Sequence, residues 1–279
     1  MKIVKLKGGL GNQMFEYAFG KVIQADAYEI SFFYEQKFHP ELTQRDYELD
    51  FFKLQLDFID TKEIKKLCKK NKFLSFLGIK NHLPLIQENP ISIYNPKLLQ
   101  YNEGLFDGYF QCAQYYENIR DKLLKDFVPN KKPNQQNEKM LKKFKTTNSI
   151  SLHVRRGDYV KLQHYHGLCD IDYYKKAIEF IASKVSNPHF FLFSDDIPWV
   201  EENLKIDFPY TIIDYNQGSD SPWDMWLMKN CYHNIIANSS FSWWGAWLNE
   251  NPDKIVIAPQ VWMANGRKTD IIPINWVRI

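Results

Sequence analysis

Apolar and polar positions alternate along this chain in two rhythms, one with a period of two and one with the spacing of a helix. Lys2-Ile3-Val4-Lys5-Leu6 reads as a short strand; beyond the turn Lys7-Gly8-Gly9-Leu10-Gly11-Asn12-Gln13, residues Met14, Phe15, Ala18, Phe19, Val22 and Ile23 recur at helical spacing. Strand, glycine turn and amphipathic helix open a βαβ unit. From residue 150 the alternation becomes regular. Strands are expected at 150–154, 189–193, 210–213, 233–237 and 254–258, with helices near 171–185, 197–204, 222–231 and 241–250. Such spacing predicts a parallel sheet covered on both faces, so the second half reads as a doubly wound α/β domain.

The stretch between these regions is less regular. Residues 61–72 read as a basic helix followed by the apolar Phe73-Leu74-Ser75-Phe76-Leu77, and Asp107-Gly108-Tyr109-Phe110-Gln111 as a short strand ending in polar groups. From Pro129 to Asn148 the composition shifts to Lys, Asn, Gln and Pro with little apolar content, which marks a linker over about 129–147. Two domains are expected, 1–147 and 148–279, a size suited to 279 residues.

Composition narrows the function classes. A hydrophobic content of 44% with 25% charged residues is that of an ordinary soluble globular protein. The net charge of +3, with no basic stripe interleaved with aromatics, disfavours a nucleic-acid partner. The eight Trp crowd the C-terminal half; they suit either sugar-stacking platforms or core, and core is the simpler reading. Cys68, Cys112, Cys169 and Cys231 show no paired spacing of the zinc or redox kind, so free thiols in a reducing compartment are expected. Met1 runs straight into the first strand without an apolar leader, and no window reaches the roughly 18 apolar residues of a membrane span. A cytoplasmic protein is expected.

Candidate chemistry collects where strands end. The strand 150–154 runs into Arg155-Arg156-Gly157-Asp158, the strand 189–193 into Ser194-Asp195-Asp196, and the strand 233–237 into Asn238-Ser239-Ser240-Phe241-Ser242. In a parallel sheet one rim carries all three, and that rim is where ligands bind. Two fixed cations, a glycine for close approach and a carboxylate to orient a guanidinium make a clamp for an anionic leaving group such as a diphosphate. Hydroxyls at Ser239, Ser240 and Ser242 beside unpaired helix N-terminal amides suit a phosphate, or serve only as an N-cap. The Gly8–Gln13 turn has Met14 where a dinucleotide fingerprint has its third glycine and lacks the Lys-Ser/Thr of a P-loop, which leaves a helix N-terminus favouring an anion or a polar substrate. Asp170-Ile171-Asp172 offers paired carboxylates for a metal, but a helix cap is the better reading.

Four ordered segments are similar to those of the α-1,2-fucosyltransferases of glycosyltransferase family 11. They are Gly8-Gly9-Leu10-Gly11-Asn12-Gln13-Met14-Phe15, Gly108-Tyr109-Phe110-Gln111, His153-Val154-Arg155-Arg156-Gly157-Asp158-Tyr159-Val160 and Asn238-Ser239-Ser240-Phe241-Ser242-Trp243-Trp244, and the match spans residues 1 to about 260. The His-x-Arg-Arg-x-Asp element is shared more widely, with α-1,6- and protein O-fucosyltransferases. The resemblance implies a GT-B-like fold of two Rossmann-like domains facing across a cleft, GDP-fucose as donor, inversion at the fucose anomeric carbon, no metal or other cofactor, and a galactoside acceptor.

By the same resemblance Arg155 would hold the β-phosphate of GDP, with Arg156 and Asp158 supporting the loop. His153 would lie near the ribose or guanine, and Asp224 would read the guanine. Asp195, Asn238, Ser239, Ser240, Phe241 and Ser242 would line the nucleotide. Gly9, Asn12 and Gln13 would face the diphosphate and fucose from the acceptor-side N-terminal domain. Asp158 is one candidate to take the acceptor proton; Glu103, Asp172 and Asp195 are others. The expected partners are GDP-fucose and a galactose-terminated oligosaccharide or lipid-linked surface glycan, met at the cytoplasmic face of the inner membrane. The Lys62–Lys72 helix would suit peripheral contact there, a solvated helix face being the plainer reading. Two rivals stand beside this reading: a GDP-fucose-dependent transferase of another linkage, and a non-enzymatic carbohydrate-binding protein.

Overall fold

Strand β1 (Lys2–Leu6) ends in a turn that needs glycine, because Gly8 sits at φ +68°, a left-handed conformation that side chains disfavour. The computed structural model describes residues 1–31, 45–69, 82–157 and 168–279. Helix α1 (Leu10–Ile23) starts at Gly9, which has no capping side chain; the Glu48 carboxylate takes the Leu10 N–H instead, at 2.7 Å. Its far end closes on Gln24 in a left-handed C-cap that returns an N–H to the Gly20 carbonyl. Between these ends Met14, Phe15, Ala18 and Phe19 are fully buried.

β2 (Ala27–Ile30), β3 (Leu85–Gln87) and β4 (Gly104–Asp107) complete an all-parallel sheet in the order β2-β1-β4-β3. Helix α2 (Thr61–Cys68), capped by Asp60, places Ile64 and Leu67 in a cluster with Ile3 and Leu105 of the sheet. Helix α3 (Arg120–Asp126) follows β4, and its Asp126 accepts the Tyr17 hydroxyl at 2.8 Å. These elements form one compact unit, residues 1–130, joined by the returning segment 269–271. In that segment Asp270 accepts the Tyr94 N–H at 2.9 Å and donates its own N–H to the Ser92 carbonyl at 2.8 Å.

The second unit, residues 131–268 and 272–279, is built on six parallel strands. They are β5 (Asn148–Val154), β6 (Pro188–Ser194), β7 (Tyr210–Ile213), β8 (His233–Ile235), β9 (Val256–Ala258) and β10 (Val277–Arg278), in the order β10-β9-β8-β5-β6-β7. Side chains alternate along each strand and feed two cores. Ile150, Leu152 and Val154 join Tyr174, Ala177 and Ile181 of α5 (Ile171–Ala182) and Val200 of α6 (Ile197–Asn203) on one face. Phe191 and Phe193 join Phe144 of α4 (Gln135–Phe144) and Leu227 and Met228 of α7 (Pro222–Lys229) on the other. Helix α8 (Ser240–Trp247) carries Trp243 and Trp244, both fully buried, and Trp223, Trp247, Trp262 and Trp276 are buried as well, so most of the tryptophans are core.

The mixed α/β architecture with parallel sheets expected from the sequence is the one the chain adopts. Three expectations need correction. The segment 129–147 is not a linker, since residues 135–144 form α4, with Asn134 capping the Asn137 N–H at 2.9 Å. Its few apolar residues, Met140, Leu141 and Phe144, suffice because they lie on one side and pack into the second core. The division therefore falls between residues 130 and 131 rather than at 147. The strand expected over 107–111 ends at Asp107, because the buried Glu88 carboxylate takes the N–H groups of Tyr109 and Phe110, and Phe110 turns to φ +51°. The basic helix stops at Cys68, and residues 70–81 lie outside the described residues.

Candidate active site

The strand order of the second unit reverses between β5 and β8, since the chain builds outward from β5 through β6 to β7 and then resumes on its other side at β8. In sheets of this kind ligands bind beyond the carboxyl ends of the two strands at the reversal, where no connection crosses over them. The residues leaving β5 are Arg155, Arg156 and Gly157; those leaving β8 run through Asn238 to Ser240. Arg155 Nη1 lies 2.9 Å from Asp195 Oδ2, with both side chains partly exposed. Asp195 Oδ1 also accepts the Arg156 N–H at 2.8 Å. A Cβ at Gly157 would collide with this carboxylate, which is why a glycine stands there. The Arg156 guanidinium is held separately, by Asp196 at 3.2 Å and by the Trp199 ring 4.0 Å away. Asp195 thus supports Arg155 directly, and Asp158, the expected base or loop support, lies outside the described residues.

His153, the next-to-last residue of β5, points away from Ile150, Leu152 and Val154 and so toward the second core, with its ring 6.0 Å from Phe241. It is 5% exposed, and its Nδ1 has no hydrogen-bond partner. Burial, aided by the Arg155 charge, pushes its pKa down to about 3, so the ring is neutral and able to accept a hydrogen bond. The Tyr215 hydroxyl, on a side chain packed against the same core, is also buried without a partner. Orphaned buried polar atoms are rare in folded proteins, and a bound water or a ligand group can satisfy them. Asp224, in the first turn of α7, takes the Asn216 amide at 2.7 Å, and burial raises its pKa to about 7, helped by Asp214 and opposed by Asn216.

The three serines at the start of α8 divide their work. Ser239 is the cap, accepting the Phe241 N–H at 3.3 Å, and Ser242 donates back to the Ser239 carbonyl at 3.4 Å. Ser240 is partly exposed and its hydroxyl has no partner among the described residues, so it is the one hydroxyl of the three left for a ligand. Asn238 is buried, donating to the Trp262 carbonyl at 3.1 Å and accepting from the Cys169 thiol at 3.5 Å, and so it shapes the loop. Asp170 is a cap, taking the Tyr173 N–H at 2.8 Å.

Gly9, Asn12 and Gln13 belong to the first unit. There the strand order reverses between β1 and β4, and the Gln111 amide, beyond β4, donates to Asn12 Oδ1 at 2.9 Å, beyond β1. Gln13 is fully buried, donates to the carbonyls of Gly8 and Asp46 and accepts the Glu48 N–H, so both of its amide donors hold the turn rather than face a sugar. The anion expected at the α1 N-terminus is also already supplied, by Glu48. Burial pushes the Glu48 carboxyl up, against the Leu10 N–H and Arg45. Sequence reasoning missed Glu48, Glu88 and Asn216 because each acts on a turn distant along the chain or through a neutral amide. Trp199 was readable, lying one helical turn after Asp196.

A doubly wound parallel sheet with two acid-held arginines at its strand-order reversal defines the class of protein, an α/β protein of the kind that binds ligands beyond its strand ends. Residues 1–279 match the family model for Glycosyl transferase family 11, and the chain belongs to that family of glycosyltransferases. It is 33% identical to the O-antigen biosynthesis glycosyltransferase WbnK of Escherichia coli, over 98% of this chain and 99% of that protein. It is 32% identical to an alpha-1,2-colitosyltransferase of Escherichia coli, over 99% of this chain and 98% of that one. Half of the chain, 51%, aligns at 28% identity with 41% of the galactoside 2-alpha-L-fucosyltransferase Sec1 of Mus musculus.

Proposed function

We propose that the chain is an inverting galactoside α-1,2-fucosyltransferase that moves L-fucose from GDP-fucose to the 2-hydroxyl of a terminal galactose in a surface glycan. The observation that carries this reading is the Arg155 guanidinium, held by Asp195 just beyond β5 at the strand-order reversal. As the fucosyl C1–O bond breaks, negative charge builds on the GDP β-phosphate. A cation fixed in advance binds that charge more strongly than it binds the intact donor, and this lowers the barrier. Arg155 does the work that a divalent metal does in other transferases, so the reaction needs no metal.

The guanine is read by the Asp224 carboxylate, whose acceptor oxygens match the adjacent N1–H and N2–H donors of that base. His153 and Tyr215 offer their unpartnered buried atoms to the base or ribose. The galactoside acceptor and the α-1,2 linkage are supported by the name of the mouse relative, and a role in O-antigen biosynthesis by that of the first Escherichia coli relative; the acceptor glycan is taken to be lipid-linked. Such a substrate is built at the cytoplasmic face of the inner membrane. No helix among the described residues is long and apolar enough to cross a membrane, and α2 points its apolar Ile64 and Leu67 inward. Among the described residues, membrane contact there would rest on the charges of Lys62, Lys65, Lys66 and Lys69.

A second reading changes the donor sugar to colitose, and it is favoured by the colitosyltransferase that aligns with nearly the whole chain. Calorimetric titration with GDP, followed by assays of GDP-fucose and the corresponding colitosyl donor against a panel of galactosides, separates the readings. The expected product is an α-1,2-fucosylated galactoside, formed equally well in excess EDTA. Transfer of colitose alone would favour the second reading, a requirement for metal would sink the metal-free mechanism, and failure to bind GDP would sink both.

A further inference from the structure

Asn137 belongs to the segment whose composition suggests a linker, yet it is fully buried. Its side chain and that of Asn216, which is 6% exposed in the loop after β7, form a reciprocal amide pair, each donating to the other at 3.0 Å. The second N–H of Asn216 goes to Asp224 Oδ1 at 2.7 Å. Both donors of the Asn216 amide are therefore in use, and its oxygen is taken by Asn137. Were the amide to flip, its oxygen would face the carboxylate and two acceptors would meet, so the pair permits one orientation. Asp224 Oδ1 is fixed in this way and keeps a second lone pair, and Oδ2 has no hydrogen-bond partner among the described residues, so both oxygens can accept from a ligand.

We propose that Asn137 and Asn216 are positioning residues that hold Asp224 in the geometry that selects guanine, so that helix α4 takes part in nucleotide recognition without touching the nucleotide. This rests on the reading that Asp224 meets the guanine edge. A carboxylate free to rotate would present its oxygens at many angles, whereas adjacent N1–H and N2–H donors need both oxygens in one plane. Adenine has no such donor pair, so the loss of positioning weakens GDP and leaves ADP untouched. The relay also bears on the charge state: guanine requires the ionised carboxylate, which burial and, to a lesser degree, Asp214 disfavour and the Asn216 N–H favours. Tyr215 lies in the same loop and stays neutral, its pKa raised to about 12 by burial and the two aspartates.

The test is calorimetric titration of the full chain with GDP and with ADP, in steps from about pH 6 to 8 around the ordinary physiological range. Asn137→Ala keeps the helix, because the Asn134 cap uses the backbone N–H and alanine favours helix. It leaves the Asn216–Asp224 bond in place but frees the Asn216 amide to turn, and is expected to weaken GDP about 3- to 10-fold, as for a lost hydrogen bond between neutral groups, to leave ADP unchanged, and to move the pH midpoint of GDP binding upward. Asn216→Ala, in a loop, removes the bond to the charged carboxylate itself and should weaken GDP about 10- to 100-fold with the same upward shift of the midpoint; it decides the matter if Asn137→Ala does not fold. Asp224→Ala should abolish the preference for GDP over ADP. If the asparagine variants bind GDP normally with an unmoved midpoint, or lose GDP and ADP equally, the positioning role is overturned while the guanine reading stands. If Asp224→Ala keeps its preference for GDP, that reading falls and the relay with it.

Discussion

The Arg155 guanidinium and the Asp195 carboxylate stand 2.9 Å apart at the carboxyl ends of the neighbouring strands β5 and β6, and the same carboxylate holds the Arg156 backbone. The pair fixes a cation before any substrate arrives. Arg155→Lys is expected to keep part of its GDP binding but lose about 100- to 1000-fold in turnover, since a point charge cannot reproduce the fork of donors. Asp195→Asn still accepts the Arg156 N–H but no longer balances Arg155. About a tenfold fall in kcat with KM little changed is expected, in line with one lost hydrogen bond to a charged group. Steady-state kinetics on both variants check this, and near-normal turnover of Arg155→Lys would remove Arg155 from the mechanism.

Two buried groups pull stability in opposite directions as pH changes. Asp224 titrates at about 7 in the fold against an ordinary 3.8, so its contribution is present below pH 3.8 and is lost as pH rises through 7. His153 titrates at about 3 against 6.5, so its contribution is present above 6.5 and is lost as pH falls toward 3. Between pH 4 and 6.5 the two slopes oppose, each worth about 1 kcal/mol per pH unit. The single variants should unmask them. Urea unfolding of Asp224→Asn should show stability rising with pH over this window relative to wild type, and His153→Gln should show it falling. Parallel curves for all three proteins would refute both assignments.

Glu88 is the anchor of the Gly108–Gln111 turn. Its Oε1 takes the Ser92 N–H at 2.9 Å, and its Oε2 takes those of Tyr109 at 2.7 Å and Phe110 at 2.9 Å. Burial pushes its carboxyl up, and these three donors with Lys7 hold it down. Glu88→Ala would strand buried N–H groups at about 1 to 3 kcal/mol each, so a loss of about 3 kcal/mol or more is expected in chemical denaturation. Glu88→Gln keeps one carbonyl oxygen and should lose less. Equal stability of the two variants would mean that the carboxylate does not hold the turn.

The alternation of strands and helices from residue 150 onward was legible because each strand is a short apolar run and each helix keeps one apolar side, down to Tyr173, Ala177 and Ile181 of α5. Arg155 and Asp195 were legible as strand-end residues for the same reason, since a parallel sheet collects strand ends on one rim. Helix α4 was not, because Asn137 is buried for its hydrogen bonds rather than its hydrophobicity, and a polar residue in a polar stretch carries no periodic signal. Glu48 and Glu88 were hidden for a different reason. Each closes a glycine-containing turn of another segment, and nothing in the spacing between Glu48 and Leu10, or between Glu88 and Phe110, forecasts the contact. Strand order, and with it the point where the order reverses, is also a long-range property that local patterning does not encode.

The serines of α8 allow stability and binding to be separated within one helical turn. Ser239 caps the helix, so Ser239→Ala should cost about 1 kcal/mol of stability, read as a lower Tm. Ser240 occupies the first helical position, is partly exposed and has a hydroxyl with no protein partner among the described residues; its removal should leave Tm unchanged. If a phosphate sits at this helix terminus, Ser240→Ala should instead weaken GDP several-fold, because the hydroxyl joins the first-turn amides around the anion. Thermal melts and GDP titrations on the two variants give a crossed pattern. A Ser240→Ala protein that binds GDP as the wild type does would place the phosphates elsewhere on the rim and leave Arg155 as their principal partner.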